Sequence, residues 1–179
     1  PVGKRVAVIG AGGIGFDVGE YLTHEGESGA LAPAKFNDEW GIDTAYAQAG
    51  GLRAVRVEAP ARQVHLLQRK ASKVGDQLGK TTGWIHRTSL KARNVGMSSG
   101  VAYERVDDAG LHIRVDGGPS HVLDVDHVVV CAGQEPLRAL YDALVAEGQS
   151  AHLIGGADVA AELDAKRAIL QGTTLAAQI

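Results

Sequence analysis

The sequence predicts an α/β fold, a parallel sheet with an antiparallel β-meander crossover, from three observations. A short apolar run near the start, Arg5-Val6-Ala7-Val8-Ile9, leads at once into a glycine-rich turn and a helix-compatible stretch. A middle section alternates apolar and polar residues between turn signals, the mark of antiparallel strands. A later run, Val128-Val129-Val130-Cys131, is continuously apolar and ends in Ala132-Gly133, as expected of a buried parallel strand meeting a ligand.

The elements follow in order. After the first strand, Gly10-Ala11-Gly12-Gly13-Ile14-Gly15 makes the turn and residues 16–24 the helix. Residues 25–60 are interrupted by Gly26, Gly29, Pro33, Gly41, Gly50, Gly51 and Pro60, which predicts an irregular insertion. A second strand follows over 63–68, then a Lys/Arg-rich loop and a short helix over 84–93. Residues 95–130 read as the meander: Leu111, Ile113 and Val115 share one face, His112 and Arg114 the other. Ala109-Gly110 and Asp116-Gly117-Gly118 supply its turns. Its last strand ends in Ala132-Gly133. Residues 136–147 form the next helix, with Pro136 near its start, and 152–154 a final strand before Gly155-Gly156-Ala157-Asp158. Residues 159–177 close the chain as mostly helix.

Composition narrows the function. The 179 residues suffice for one ordinary domain and not for two full-sized ones, and 45% hydrophobic with 22% charged residues excludes wholesale disorder. Aromatics are 4%, so Val, Ile, Leu and Ala must build the core. A net charge of -3 gives no electrostatic footprint for nucleic acid. No apolar run in this sequence reaches membrane length, and neither a signal peptide nor a membrane partner is expected. Cys131, the single cysteine, excludes an internal disulfide or a cysteine-ligated cluster, and with these features predicts a reducing, cytoplasmic setting. The seven histidines show no ligand spacing, so no metal site is expected. Pro1 is not an initiator methionine and a strand follows almost at once, which predicts a piece cut from a longer polypeptide.

The glycine turn carries the chemistry. Gly10, Gly12 and Gly15 satisfy G-x-G-x-x-G directly after a strand and at the opening of a helix, the dinucleotide-binding context of a Rossmann-like fold. Gly10 permits the tight turn, Gly12 lets backbone approach a pyrophosphate, and Gly15 lets helix pack on strand. Gly13 and Ile14 complete the turn, with helix N–H groups facing the negative charge. An ordinary glycine turn is the competing reading. The acidic residue that usually holds the adenosine ribose is missing where the second strand ends, replaced by Gln68-Arg69-Lys70. A carboxylate there would repel a 2′-phosphate, whereas a guanidinium binds one with paired hydrogen bonds, so NADPH is favoured over NADH. From 69 to 93 seven basic residues face one acid, Asp76; a solvated basic face is the bland alternative. Gly75 and Gly79-Lys80-Thr81 suggest a P-loop, but three residues separate the glycines where four are required. Cys131 has no evident base beside it, and no catalytic residue is predicted.

Several blocks also resemble a known family. Lys4-Arg5-Val6-Ala7-Val8-Ile9-Gly10-Ala11-Gly12-Gly13-Ile14-Gly15-Phe16-Asp17 is similar to the pyridine-nucleotide fingerprint in the C-terminal half of bacterial NADPH-dependent 2,4-dienoyl-CoA reductases. So are Asn37-Asp38-Glu39-Trp40-Gly41-Ile42-Asp43, Leu67-Gln68-Arg69-Lys70, Gly79-Lys80-Thr81-Thr82-Gly83-Trp84-Ile85-His86-Arg87, Cys131-Ala132-Gly133-Gln134-Glu135-Pro136 and His152-Leu153-Ile154-Gly155-Gly156-Ala157-Asp158. The resemblance covers nearly the whole chain in the same order. It implies an iron–sulfur flavoprotein of the old yellow enzyme and trimethylamine dehydrogenase superfamily, acting in unsaturated fatty acid β-oxidation. Electrons would run from NADPH through FAD, a 4Fe-4S cluster and FMN to a dienoyl thioester. On that map residues 1–149 are the NADPH-binding domain, of the kind found in FAD/NAD-linked reductases. Residues 150–179 return to an FAD-binding domain, where Gly156 and Asp158 match a Gly-x-Asp segment near the flavin. Ala132 and Gly133 would let a strand end approach the nicotinamide nucleotide. The barrel, the cluster cysteines and the first FAD fingerprint have no counterpart here, so the chain's partners would be the remaining FAD and barrel domains of its own polypeptide. An adenine-nucleotide-binding structural module and an NADP sensor, both without redox turnover, are the rival readings.

Overall fold

Strand β1 (Arg5–Ile9) is hydrophobic without alternation because both of its faces are covered. In the computed structural model, which describes residues 1–161 and 165–179, Val6 and Val8 face one layer and Ala7 the other, and all three are fully buried. β1 pairs in parallel with β2 (Gln63–Leu67) and β7 (His127–Val130), and β2 in parallel with β3 (Gly96–Ser98). The strand order is β3-β2-β1-β7. One face carries the helices α1 (Gly13–Thr23) and α3 (Gly83–Ala92), with Phe16, Leu66 and Leu90 completely buried between them and the sheet. Burial of that extent is worth about 1.5–3 kcal/mol for each such side chain. The other face is covered by an antiparallel sheet of β4 (Val101–Asp107), β5 (Gly110–Val115) and β6 (His121–Leu123), whose Val101, Leu111 and Ile113 meet Ala7 and Leu67. The Rossmann-like α/β fold with its β-meander crossover is therefore the fold of this chain.

Several local expectations are corrected. The insertion over 25–60 contains helix α2 (Pro33–Trp40), started by Pro33 and stopped by Gly41 in the left-handed region (φ 64°). The proline and glycine that look like interruptions are its caps. Residues 96–98 belong to the parallel sheet and not to the meander: Gly96 sits against the His65 ring, where a Cβ would come within 2.6 Å of Nδ1. β7 is an outer strand of this sheet, with Val129 packed against the helix-side core and Val128 against the meander-side one. Val128 and Val129 are half-buried and Val130 is 69% exposed, because β1 is its only strand neighbour among the described residues.

Pro1–Ala132 forms one compact unit and Gly133–Ile179 a second. The second holds α4 (Ala139–Ala146), the short α5 (Gly155–Asp158) and α6 (Ala165–Ala176). Residues 152–154 are not paired in a sheet, and the predicted helix over 136–147 is confined to α4. Part of the long helix expected over 159–177 falls on 162–164, outside the described residues; α6 supplies its latter part. Only Gly155 is buried among the described residues of this unit.

Candidate functional site

Three parallel strands release their chains at one edge of the sheet. Register pairs Ile9 with Leu67 and with Val130, so the segments after β1, β2 and β7 leave side by side. Strand order reverses between β1 and β7, and the crevice outside the carboxyl ends of strands at such a point is where open α/β sheets bind ligands.

The glycine turn occupies that edge. The Gly10 N–H donates to the Leu67 carbonyl at 2.9 Å, and the Cys131 N–H donates to the Ile9 carbonyl at 2.7 Å. Gly10 has φ 111°, and a Cβ on it would lie 2.6 Å from the Cys131 oxygen. Gly15 is tighter still: a Cβ there would fall 1.8 Å from the Gly10 oxygen. Both glycines are demanded by packing. Gly12 and Gly13 are exposed, and a Cβ on either would meet nothing within 4 Å, so the protein itself does not require them to be glycine. Gly12 is the N-cap of α1 with extended backbone; no side chain caps the helix and no acidic residue lies in its first turn. The first intrahelical bond joins the Phe16 N–H to the Gly12 carbonyl at 3.1 Å, which leaves the first-turn N–H groups at Gly13, Ile14 and Gly15 pointing outward. An open glycine cradle at an uncapped positive helix end fits a pyrophosphate.

Beside it, Arg69 and Lys70 follow β2. Both are exposed, and neither side chain has a hydrogen-bond or ion-pair partner among the described residues. Arg69 lies close enough to Tyr103 for its charge to favour the phenolate, although burial is the larger effect and pushes the Tyr103 phenol up. The rest of the basic segment divides. Arg87 donates to the Gly75 carbonyl at 2.8 Å and Arg93 pairs with Glu39 at 3.3 Å, so both hold the fold. Residues 75–83 form successive tight turns before α3 and do not follow a strand, which removes the context a P-loop needs.

Ala132 is exposed at the end of the first unit, next to Cys131, whose half-buried thiol is pushed up by desolvation. Gly10, Gly12, Gly13, Ile14, Gly15, Arg69, Lys70 and Ala132 are thus gathered in one unit. Gly133, Gly156 and Asp158 belong to the other. There Gly133 opens the chain with φ 80°, and the Asp158 carboxylate accepts from Gln171 Nε2 at 3.0 Å. A separate groove of about 450 Å³, lined by residues including Tyr21, His24 and Phe36, has much of its polar character already paired: Glu20 with His86 and Glu39 with Arg93. Sequence reading missed the role of Gln68, whose amide turns into its own loop; the strand-end position signalled it.

The family model described as pyridine nucleotide-disulphide oxidoreductase matches residues 1–161. The chain belongs to that family. Among solved structures it is similar to 2-naphthoyl-CoA reductase in complex with 2-naphthoyl-CoA, at 19% identity and a TM-score of 0.64, over 96% of this chain and 20% of that one. It is also similar to bacillithiol disulfide reductase from Staphylococcus aureus (14% identity, TM-score 0.46, 86% of this chain and 36% of that). Thioredoxin reductase from T. acidophilum gives 13% identity and a TM-score of 0.46, over 77% and 34%. At such identities the likeness is one of fold, and the chain spans a fifth to about a third of these proteins. Membership of the family implies nicotinamide-nucleotide and flavin binding, and the cradle at Gly12 and Gly13 fits the first of these. Among the described residues no helix is long and apolar enough to cross a membrane.

Proposed function

We propose that this chain is the NADPH-binding module of a 2,4-dienoyl-CoA-reductase-like flavoprotein. The observation that carries the reading is the pair of cations Arg69 and Lys70, without a hydrogen-bond or ion-pair partner among the described residues, at the end of β2 beside the uncapped start of α1. In this reading Gly10, Gly12, Gly13, Ile14 and Gly15 receive the pyrophosphate, Arg69 and Lys70 the 2′-phosphate, and Ala132 and Gly133 give the nicotinamide end its backbone approach. Bound NADPH supplies hydride, and this chain's own residues orient it and contribute no acid or base. Residues 1–149 form the NADPH domain and 150–179 the returning piece of an FAD domain, with Gly156 and Asp158 at the flavin edge. FAD, FMN, a 4Fe-4S cluster and the thioester site belong to the remainder of a cytoplasmic polypeptide. That 2-naphthoyl-CoA reductase is named for a CoA thioester supports this substrate class.

A titration tests the assignment. Arg69→Ala should weaken NADPH by about 1–3 kcal/mol, the range for a hydrogen bond to a charged group, and leave NADH nearly unchanged. Equal losses for the two nucleotides would overturn it. ADP binding the unaltered chain as tightly as NADPH would favour the structural-module reading.

A further inference from the structure

The residue directly after β2 is Gln68, and its side chain faces its own loop. Gln68 Nε2 lies 3.0 Å from the Lys70 carbonyl and 2.8 Å from the Ser72 carbonyl. Both partners are acceptors only, so both hydrogens of the amide are used, one on each side of Ala71. The Gln68 backbone is anchored as well: its N–H donates to the Ser98 carbonyl at 2.9 Å, and its own carbonyl accepts from the Val101 N–H at 3.0 Å. The Gly100 N–H adds a bond to the Lys70 carbonyl at 3.0 Å. Residues 68–72 therefore curl around one side-chain amide against the start of β4, and Arg69 and Lys70, whose backbone is held inside that curl, keep their side chains exposed and without a partner among the described residues.

We infer that Gln68 is a specificity-determining positioning residue: by donating both amide hydrogens to the Lys70 and Ser72 carbonyls it holds Arg69 and Lys70 in place for a 2′-phosphorylated nucleotide. The inference rests on the proposed role of those two cations. Its chemistry is selective. A carboxylate at position 68 has no hydrogen to give and would confront two carbonyl oxygens, so the acidic residue that grips a ribose in NAD-type sites is incompatible with this loop. Exchanging acid for amide therefore does two things at once: it removes a repulsive charge and supplies the brace that orders the attractive ones.

Gln68→Met keeps the length and removes both donors. Titrated with NADPH and NADH in the full chain, Gln68→Met should raise the NADPH Kd by roughly tenfold, as for the loss of one or two net hydrogen bonds, and leave the NADH Kd within about twofold. The NADH titration also reports that the variant is folded. In an Arg69→Ala/Lys70→Ala background the same change should cost little further NADPH affinity, because the cations it positions are gone; a merely structural residue would show additive losses. Equal weakening of both nucleotides, or additive losses, overturns the inference. No change in Gln68→Met while Arg69→Ala remains selective overturns it too, and leaves the 2′-phosphate reading standing. A non-selective Arg69→Ala removes both.

Discussion

Gly12 and Gly15 lie three residues apart in one motif and answer to different forces. At Gly15 a methyl group would sit 1.8 Å from the Gly10 carbonyl oxygen, so helix and strand would have to separate. Gly15→Ala should cost stability by about 1–3 kcal/mol or more, the range for overpacking, seen as a lower denaturation midpoint in urea. At Gly12 the same methyl meets open space, and stability should change by no more than about 1 kcal/mol, the difference between glycine and alanine as N-caps. Gly12→Ala should nevertheless weaken NADPH by roughly tenfold or more, because the methyl stands where a phosphate needs the backbone and costs it a charged hydrogen bond. Calorimetric titration of the two variants separates a folding glycine from a binding one; a Gly12→Ala chain that binds normally would remove Gly12 from the site. The motif's spacing was legible in the sequence. This division of labour was not, since it depends on which atoms lie opposite each missing Cβ.

At the scale of elements, α1 is held over the sheet by α3. Leu90 is fully buried against α1, and its methyl groups lie where a Cβ on Gly19 would touch them at 3.4 and 3.5 Å. Leu90→Ala should destabilise the fold by about 2–5 kcal/mol through a cavity under the helix that carries the glycine cradle. Thermal unfolding measures this, and saturating NADPH should recover part of the loss by mass action if the first unit binds the nucleotide. The helices and strands around this core were readable because their apolar periodicity is local. Helix α2 was not, because Pro33 and Gly41 are ambiguous in sequence: each ends one element or begins another, and only the finished helix shows which.

For the whole molecule, several exposed carboxylates hold neighbouring segments together, and Asp126 joins residues more than a hundred positions apart. Asp126 accepts from the Arg5 guanidinium at 2.6 Å and from the Lys4 and Arg5 backbone N–H groups at 2.8 Å each. These bonds, led by the one from the Arg5 side chain, lower its pKa from 3.8 to about 2. Glu104 beside Arg114, Glu58 beside Lys35 and Asp107 beside His112 are lowered as well. A depressed carboxyl pKa stabilises the fold fully above the unfolded value and loses that contribution as pH falls through the folded one. Asp126 should therefore contribute at pH 7 and cease to between about pH 4 and pH 2. Asp126→Asn should lower the Tm at pH 7, and its gap from the parent should close by about pH 2; a gap independent of pH would rule out the ion pair as its source.

The sequence by itself determined the α/β class, the strand–turn–helix at Gly10 to Gly15 and the basic end of the second strand. These follow from properties that travel with a few neighbouring residues: apolar periodicity, the freedom of a missing Cβ, the sign of a charge. Tertiary structure alone decided which charges are spent and which remain. Arg93 is consumed by Glu39, 54 residues away, and Arg87 by the Gly75 carbonyl, while Arg69 and Lys70 have no partner among the described residues and Gln68 braces the loop that carries them. It also made β7 an outer strand where its composition read as a buried one. The reason is common to all of these: a side chain's partner, and the number of neighbours a strand has in its sheet, are set by segments far along the chain that only the fold brings near.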